Sequence, residues 1–217
     1  LYLSLTRGAA EDLFAAAEQS YEDEAYSTAI QRYNKYLDAY PTHEKAGLAR
    51  VRRAMAGLRQ VYKEPERGLK KAKEILPEIE KEAEFLEARA ELASMLPIIA
   101  EGFVADAQLA IDSAVKEQLL EKTAEAMKLV NNSSYIPTTL RKSQETRIKL
   151  IAENVSRVQR EINEERTLLE TVGAIENAVG SGDTQLAYEA REDLLKKYPG
   201  LETNAELRAA VLKITEK

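Results

Sequence analysis

Apolar residues recur three and four positions apart along this chain, and no run of them alternates with period two. That spacing lines side chains along one face of an α-helix, whereas a half-buried strand needs alternation. No Asn-Gly or Asp-Gly dipeptide is present to close a β-hairpin. An all-α fold is therefore expected. Composition points the same way, because Ala, Glu, Leu, Lys and Arg dominate and lose little side-chain freedom in a helix.

Prolines and glycines divide the pattern into segments. Residues 9–22 carry Leu13, Phe14, Ala17 and Tyr21 on one stripe, and residues 26–40 carry Ala29, Ile30, Tyr33, Tyr36, Leu37 and Tyr40. Pro41 stops the second helix, since the residue before a proline avoids the helical conformation. Thr42 is the expected cap of a helix over 43–62. Pro65 suits the first turn of a helix over 65–76, which Pro77 ends or kinks. Pro97 reads as either a new helix start or a kink, and Ile98 to Val130 is helical throughout, with Gly102 its one weak point. The clearest loop is "NNSSYIP", 131–137. Thr138 or Thr139 is the expected cap of a long helix, 139–180, which "GSGD" terminates because glycine accepts the left-handed C-cap. A helix over 184–197, a Pro199-Gly200 stop and a last helix over 203–215 complete the chain.

The long helix has the most regular stripe. Ile148, Ile151, Val155, Val158 and Ile162 follow gaps of three and four, and the register then meets Glu165, Leu169 and Val172. A heptad-like stripe buries a seam against another helix. The segment before it has its own apolar face, Ala107, Ile111, Ala114, Leu119, Met127 and Val130, so an antiparallel helical hairpin around 131–137 is the simplest arrangement. The alternative is a homodimer through Ile148, Ile151, Val155, Val158 and Ile162.

A net charge of −6 disfavours nucleic acid as a partner, since phosphate contacts dominate that affinity. No Cys is present, so no thiolate site forms, and no uninterrupted apolar run approaches the roughly 20 residues of a membrane span. The chain begins at Leu1 rather than Met and is read as an excerpt of a larger protein or a processed form. "LYLSL" is either the end of an upstream apolar element, a membrane anchor among the options, or a plain terminus. Composition does not choose between a cytoplasmic and a periplasmic or exported location.

Chemistry leaves few traces. The one histidine, His43, has neither a cysteine nor a second histidine for a zinc-type cluster, and is read as a solvated residue in the first turn of a helix. No nucleophile elbow and no phosphate-cradling loop appear. Glu78, Glu80, Glu82, Glu84, Glu87 and Glu91 could formally supply an acid pair, but they read as a solvated helix face. The basic run Arg50, Arg52, Arg53, Arg59, Lys63, Arg67, Lys70, Lys71 and Lys73 reads as charges balanced by that acidic run. No catalytic, cofactor-binding or metal-binding residues are assigned.

Two stretches repeat one pattern: "YSTAIQRYNKYLDAYP" at 26–41 and "TQLAYEAREDLLKKYP" at 184–199. The segment 8–41 resembles a tetratricopeptide repeat, two antiparallel helices in about 34 residues. Leu13, Ala16, Ala17, Ala29, Tyr33 and Pro41 match the family's large, small, aromatic and proline positions in order; Ser20 and Tyr36 depart from it. The segment 168–201 resembles a second copy through Ala187 and Pro199, with Ile175, Arg191 and Leu194 as departures. The resemblance implies a single elongated domain of stacked helical hairpins, an α-solenoid. Its parts are a repeat-like hairpin at 8–41, irregular helices at 42–130, the long helix at 139–180 and a C-terminal unit at 168–215. It also implies a non-catalytic scaffold or adaptor that needs no cofactor and binds a protein or peptide partner. Glu18, Tyr21 and Glu22 would then sit on the inner face as partner-binding residues.

Overall fold

In a computed structural model, the backbone is described from residue 2 to residue 215 and the side chains from residue 8 to residue 214. The expectation for "LYLSL" lies outside the described side chains, and Leu1 lies outside the described backbone. The described residues form α-helices joined by turns, with one 3-10 segment and no strand, so the fold is all-α.

Successive helices pair from the start. α1 (Tyr2–Glu22) and α2 (Tyr26–Ala39) pack as a hairpin, α2 packs on α3 (Ala46–Arg59), α3 on α4 (Pro65–Ile79), and α4 on α5 (Phe85–Leu109). α3 also touches α1 and α5, which places α1, α3 and α5 side by side in one layer. Small residues allow the close approach of α1 and α2: Ala17 and Ala29 are fully buried. Tyr33 and Tyr36 fill the space beside them, also fully buried, and Phe14 meets both rings edge-on at 6.2 and 5.4 Å. The α1–α2 turn puts Glu24 at φ 58, the left-handed region, so that Ala25 N–H can reach the Ser20 carbonyl at 2.9 Å.

The chain continues through α6 (Ser113–Asn131), α7 (Thr138–Lys142), α8 (Glu145–Ser181), α9 (Thr184–Lys197), a 3-10 turn (Pro199–Thr203) and α10 (Ala205–Thr215). Contacts sort the chain into two compact units: residues 1–110 with 118–155, and residues 111–117 with 156–217. In the second unit the start of α6 runs antiparallel to the middle of α8. Lys116 pairs with Glu161 at 2.7 Å, and Ser113 and Glu117 reach Glu165 and Arg166. The rest of that unit packs Leu168, Ile175 and Val179 of α8 against Ala187, Leu194, Leu207, Ala210 and Ile214.

Several boundaries differ from expectation, each for a local reason. α3 begins at Ala46, not at 43, because residues 41–45 form a turn and Thr42 caps nothing. Pro77 and Pro97 lie inside α4 and α5, each of which continues past its proline. The segment expected to be helical from Ile98 to Val130 breaks at Ala110, which is extended at ψ 140. Asp112 then caps α6, its Oδ1 accepting from Ala114 and Val115 N–H at 2.8 and 3.0 Å. Neither Thr138 nor Thr139 caps the long helix; α7 intervenes and α8 begins at Glu145. "GSGD" behaves as expected: Gly182 takes φ 79, and Asp183 accepts from Leu186 N–H at 3.0 Å.

The chain itself covers part of the α8 stripe. Ile151, Val158 and Ile162 are buried and Ile148 and Val155 half-buried. Past Glu165 the stripe shifts by one residue: Leu168 is buried and Leu169, expected in the seam, is 56% exposed. From there α8 faces α9 and α10, which meet the side of the helix that carries Leu168, Ile175 and Val179.

By length and composition α5 is apolar enough to cross a membrane, with a mean hydropathy of 1.3 over its most apolar window, which a count of uninterrupted apolar residues misses. Within the first unit this surface is covered: Leu92, Leu96, Ile99, Phe103 and Val104 are almost wholly buried, and α3, α4 and α7 pack on the helix.

Candidate functional site

The layer formed by α1, α3 and α5 carries a half-buried network of charges and tyrosines. Glu91, on α5, is its centre. It accepts from Tyr21 Oη at 2.7 Å, from Arg52 at 3.2 Å and from Arg59 Nε at 2.9 Å. Arg52 also faces Glu18 at 3.7 Å and Glu87 at 3.5 Å; its Nε is buried without a hydrogen bond, since 3.7 Å is too long for one. The Tyr33 hydroxyl donates to Glu18. The aromatic faces are used as well: Arg52 lies 5.2 Å over the Tyr21 ring, Arg59 lies 5.9 Å over Tyr26, and the two rings meet edge-on at 5.7 Å.

These surroundings set the protonation states. Burial, followed by the hydrogen bond and charge of Glu91, holds the Tyr21 hydroxyl well above the usual phenol range. Burial and then Glu18 do the same to Tyr33. Burial works against the Arg59 charge, but the hydrogen bond and charge of Glu91 outweigh it and the guanidinium is raised further. Arg52 follows the same pattern, with burial opposed by Glu18, Tyr21 and Glu91.

Of the three residues expected to bind a partner, Glu18 and Tyr21 lie in this network and Glu22 is exposed at the end of α1. Glu18 and Tyr21 have partners within the fold: Glu18 Oε1 accepts from Tyr33 and the Tyr21 hydroxyl donates to Glu91. The residues that join them, Arg52, Arg59 and Glu91, stand in the basic and acidic runs noted in the sequence. A charge-pairing signal exists there, but which arginine meets which glutamate is not encoded by spacing. Elsewhere Arg50 forks onto Glu82 at 2.5 and 3.0 Å, and Lys73 reaches Glu125 at 2.8 Å. Beside the network a cavity of about 310 Å³ opens among Glu24, Tyr26, Arg59, Gln60, Tyr62 and Lys63.

His43 is not in a helix. It sits half-buried in the 41–45 turn, with Nδ1 2.8 Å from Tyr36 Oη and its ring edge-on to Tyr36. Two carboxylates that a search for cysteine and histidine partners overlooks, Glu11 and Glu44, converge on it. Burial, then the charges of Glu11 and Glu44, raise the Tyr36 hydroxyl above its ordinary value. Lys45 Nζ lies 2.5 Å from Glu11.

Compared with protein-family models, with curated proteins and with solved structures, the chain matches none.

Proposed function

We propose that this chain is a non-catalytic, tetratricopeptide-like scaffold that binds a protein or peptide partner on the α1–α3–α5 face of its first unit. One observation carries the reading: Tyr21, the paired charges of α1, α3 and α5, and Tyr26 at the adjoining start of α2 are half-buried or buried and held in place before any partner arrives. Preorganised side chains lose little freedom on binding, and an arginine or tyrosine with an apolar body suits a central anchor. The cavity at Tyr26, Arg59 and Tyr62 offers a recess for one side chain of an extended or helical segment. The same network argues against acid–base chemistry, because its tyrosines are held protonated and its carboxylates are matched by arginines. Repeat-like pairing of the small residues Ala17 and Ala29, and the buried Ala187 of the α8–α9 hairpin, support the stacked-hairpin reading of both ends.

A peptide-display selection on the intact chain tests this. Enriched peptides should lose at least about tenfold in affinity when Arg59→Ala or Tyr26→Ala is introduced without loss of helical circular dichroism. Enrichment of no peptide, or of peptides indifferent to both changes, counts against the reading.

A further inference from the structure

Glu11 on α1 and His43 and Glu44 on the 41–45 turn bring one imidazole nitrogen and two carboxylate oxygens within 4.8 Å of one another. We propose that Glu11, His43 and Glu44 hold a divalent ion of the zinc type, which clips the turn after α2 onto α1. The inference rests on this cluster alone and is independent of the partner-binding face.

The donor set selects the class of ion. An imidazole with two carboxylates suits zinc and its first-row neighbours, whereas magnesium and calcium favour oxygen alone. With bonds of about 2.0–2.2 Å, donors around a tetrahedral ion stand roughly 3.4 Å apart. Closing the cluster therefore asks for shifts of up to about 1.4 Å, and Glu44 is exposed at the rim. The imidazole is already oriented. Its Nδ1 lies 2.8 Å from the Tyr36 hydroxyl and 3.5 Å from the Lys45 backbone nitrogen, so an ion would take Nε2, with Nδ1–H donating to Tyr36 Oη in the bound state. A metal-bound imidazole ordinarily has such an outer partner on its second nitrogen. Water fills the fourth position.

A resident cation shows what the cluster attracts. The Lys45 ammonium lies 2.5 Å from Glu11 and 5.0 Å from the centre of the Phe14 ring. It competes with an ion for the same carboxylate, so removing its charge should strengthen metal binding while removing a ligand weakens it. A lysine that merely held the turn would show no such effect.

The test is isothermal titration of the full chain, stripped with chelator, with zinc chloride, and with magnesium chloride as control. The expected result is one zinc per chain with a dissociation constant of about 10 μM or tighter, and no saturable heat from magnesium. Glu44→Gln and His43→Ala should each weaken zinc binding at least about tenfold, and Lys45→Gln should tighten it several-fold. Glu44 is exposed, so its variant tests the ligand role without removing the Tyr36–His43 contact; circular dichroism checks that each variant is folded. Absence of saturable zinc binding overturns the proposal. So does binding that Glu44→Gln and His43→Ala leave unchanged, or that Lys45→Gln weakens.

Discussion

Glu91 answers three partners at once, Tyr21, Arg52 and Arg59, and only 18% of its side chain is exposed. Glu91→Ala would leave two half-buried guanidinium groups and a phenol without their common acceptor. The expected loss is about 1–3 kcal/mol in urea unfolding, more than a surface ion pair is worth. Tyr21 and Tyr33 give a second prediction. Both hydroxyls titrate above the unfolded value of 10.0, through burial first and their carboxylate partners second. The unfolded chain then loses these protons before the folded chain does. Their contribution is whole below pH 10 and falls as pH rises beyond it. Tyrosinate absorbance should show a delayed fraction that joins the ordinary phase in urea; a single phase in the folded chain contradicts this. Glu24, at φ 58, gives a third: Glu24→Gly should raise stability by up to about 1 kcal/mol, since glycine occupies that region without a Cβ clash. At this scale the sequence identified single residues but not their company. Tyr21 and Glu18 stand out as a tyrosine among acids on a helix, but Glu91 lies 70 positions from Tyr21, and no periodicity links them.

Helix packing separates two glycines that look alike in the sequence. A Cβ on Gly102 of α5 would stand 2.3 Å from the Pro65 ring at the start of α4, and a proline ring cannot swing aside. A Cβ on Gly173 of α8 would meet nothing within 4 Å. Gly102→Ala should therefore destabilise by about 1–3 kcal/mol, and Gly173→Ala should stabilise by about 0.5–1 kcal/mol through helix propensity. Thermal melts of the two variants should move in opposite directions. The α8 stripe carries another prediction. Val158 is fully buried within one chain, so Val158→Asp should reduce helical circular dichroism and unfolding stability. A dimer that dissociates into folded monomers, seen by light scattering, would be the signature of a seam between chains instead. Helix existence was readable from the apolar spacing almost everywhere; helix ends were not. The break at 110–112 rests on Asp112 satisfying the first N–H groups of α6, a signal present in the sequence as an aspartate before a serine but overridden by the unbroken apolar pattern around it. The step from Leu169 to Leu168 had no signal, because which side of a helix is covered depends on where its neighbours lie.

Across the molecule, the two units share helices, since α6 and α8 each contribute residues to both. α5 is the most apolar long element and the best buried of the first unit, so its central amides should be among the slowest to exchange with deuterium. The all-α class followed from the sequence alone, because helical periodicity and helix-favouring composition are local properties written into each segment. Many stops were local too: Pro41, "GSGD" and Pro199 end helices by what their own backbones can and cannot adopt. Only the tertiary structure decided which charges meet, that Glu11 and Glu44 gather around His43, and that Ile151, Val158 and Ile162 of α8 are buried within one chain. Those outcomes depend on how distant helices approach in space, and a chain's local pattern names the face that must be covered without naming what covers it.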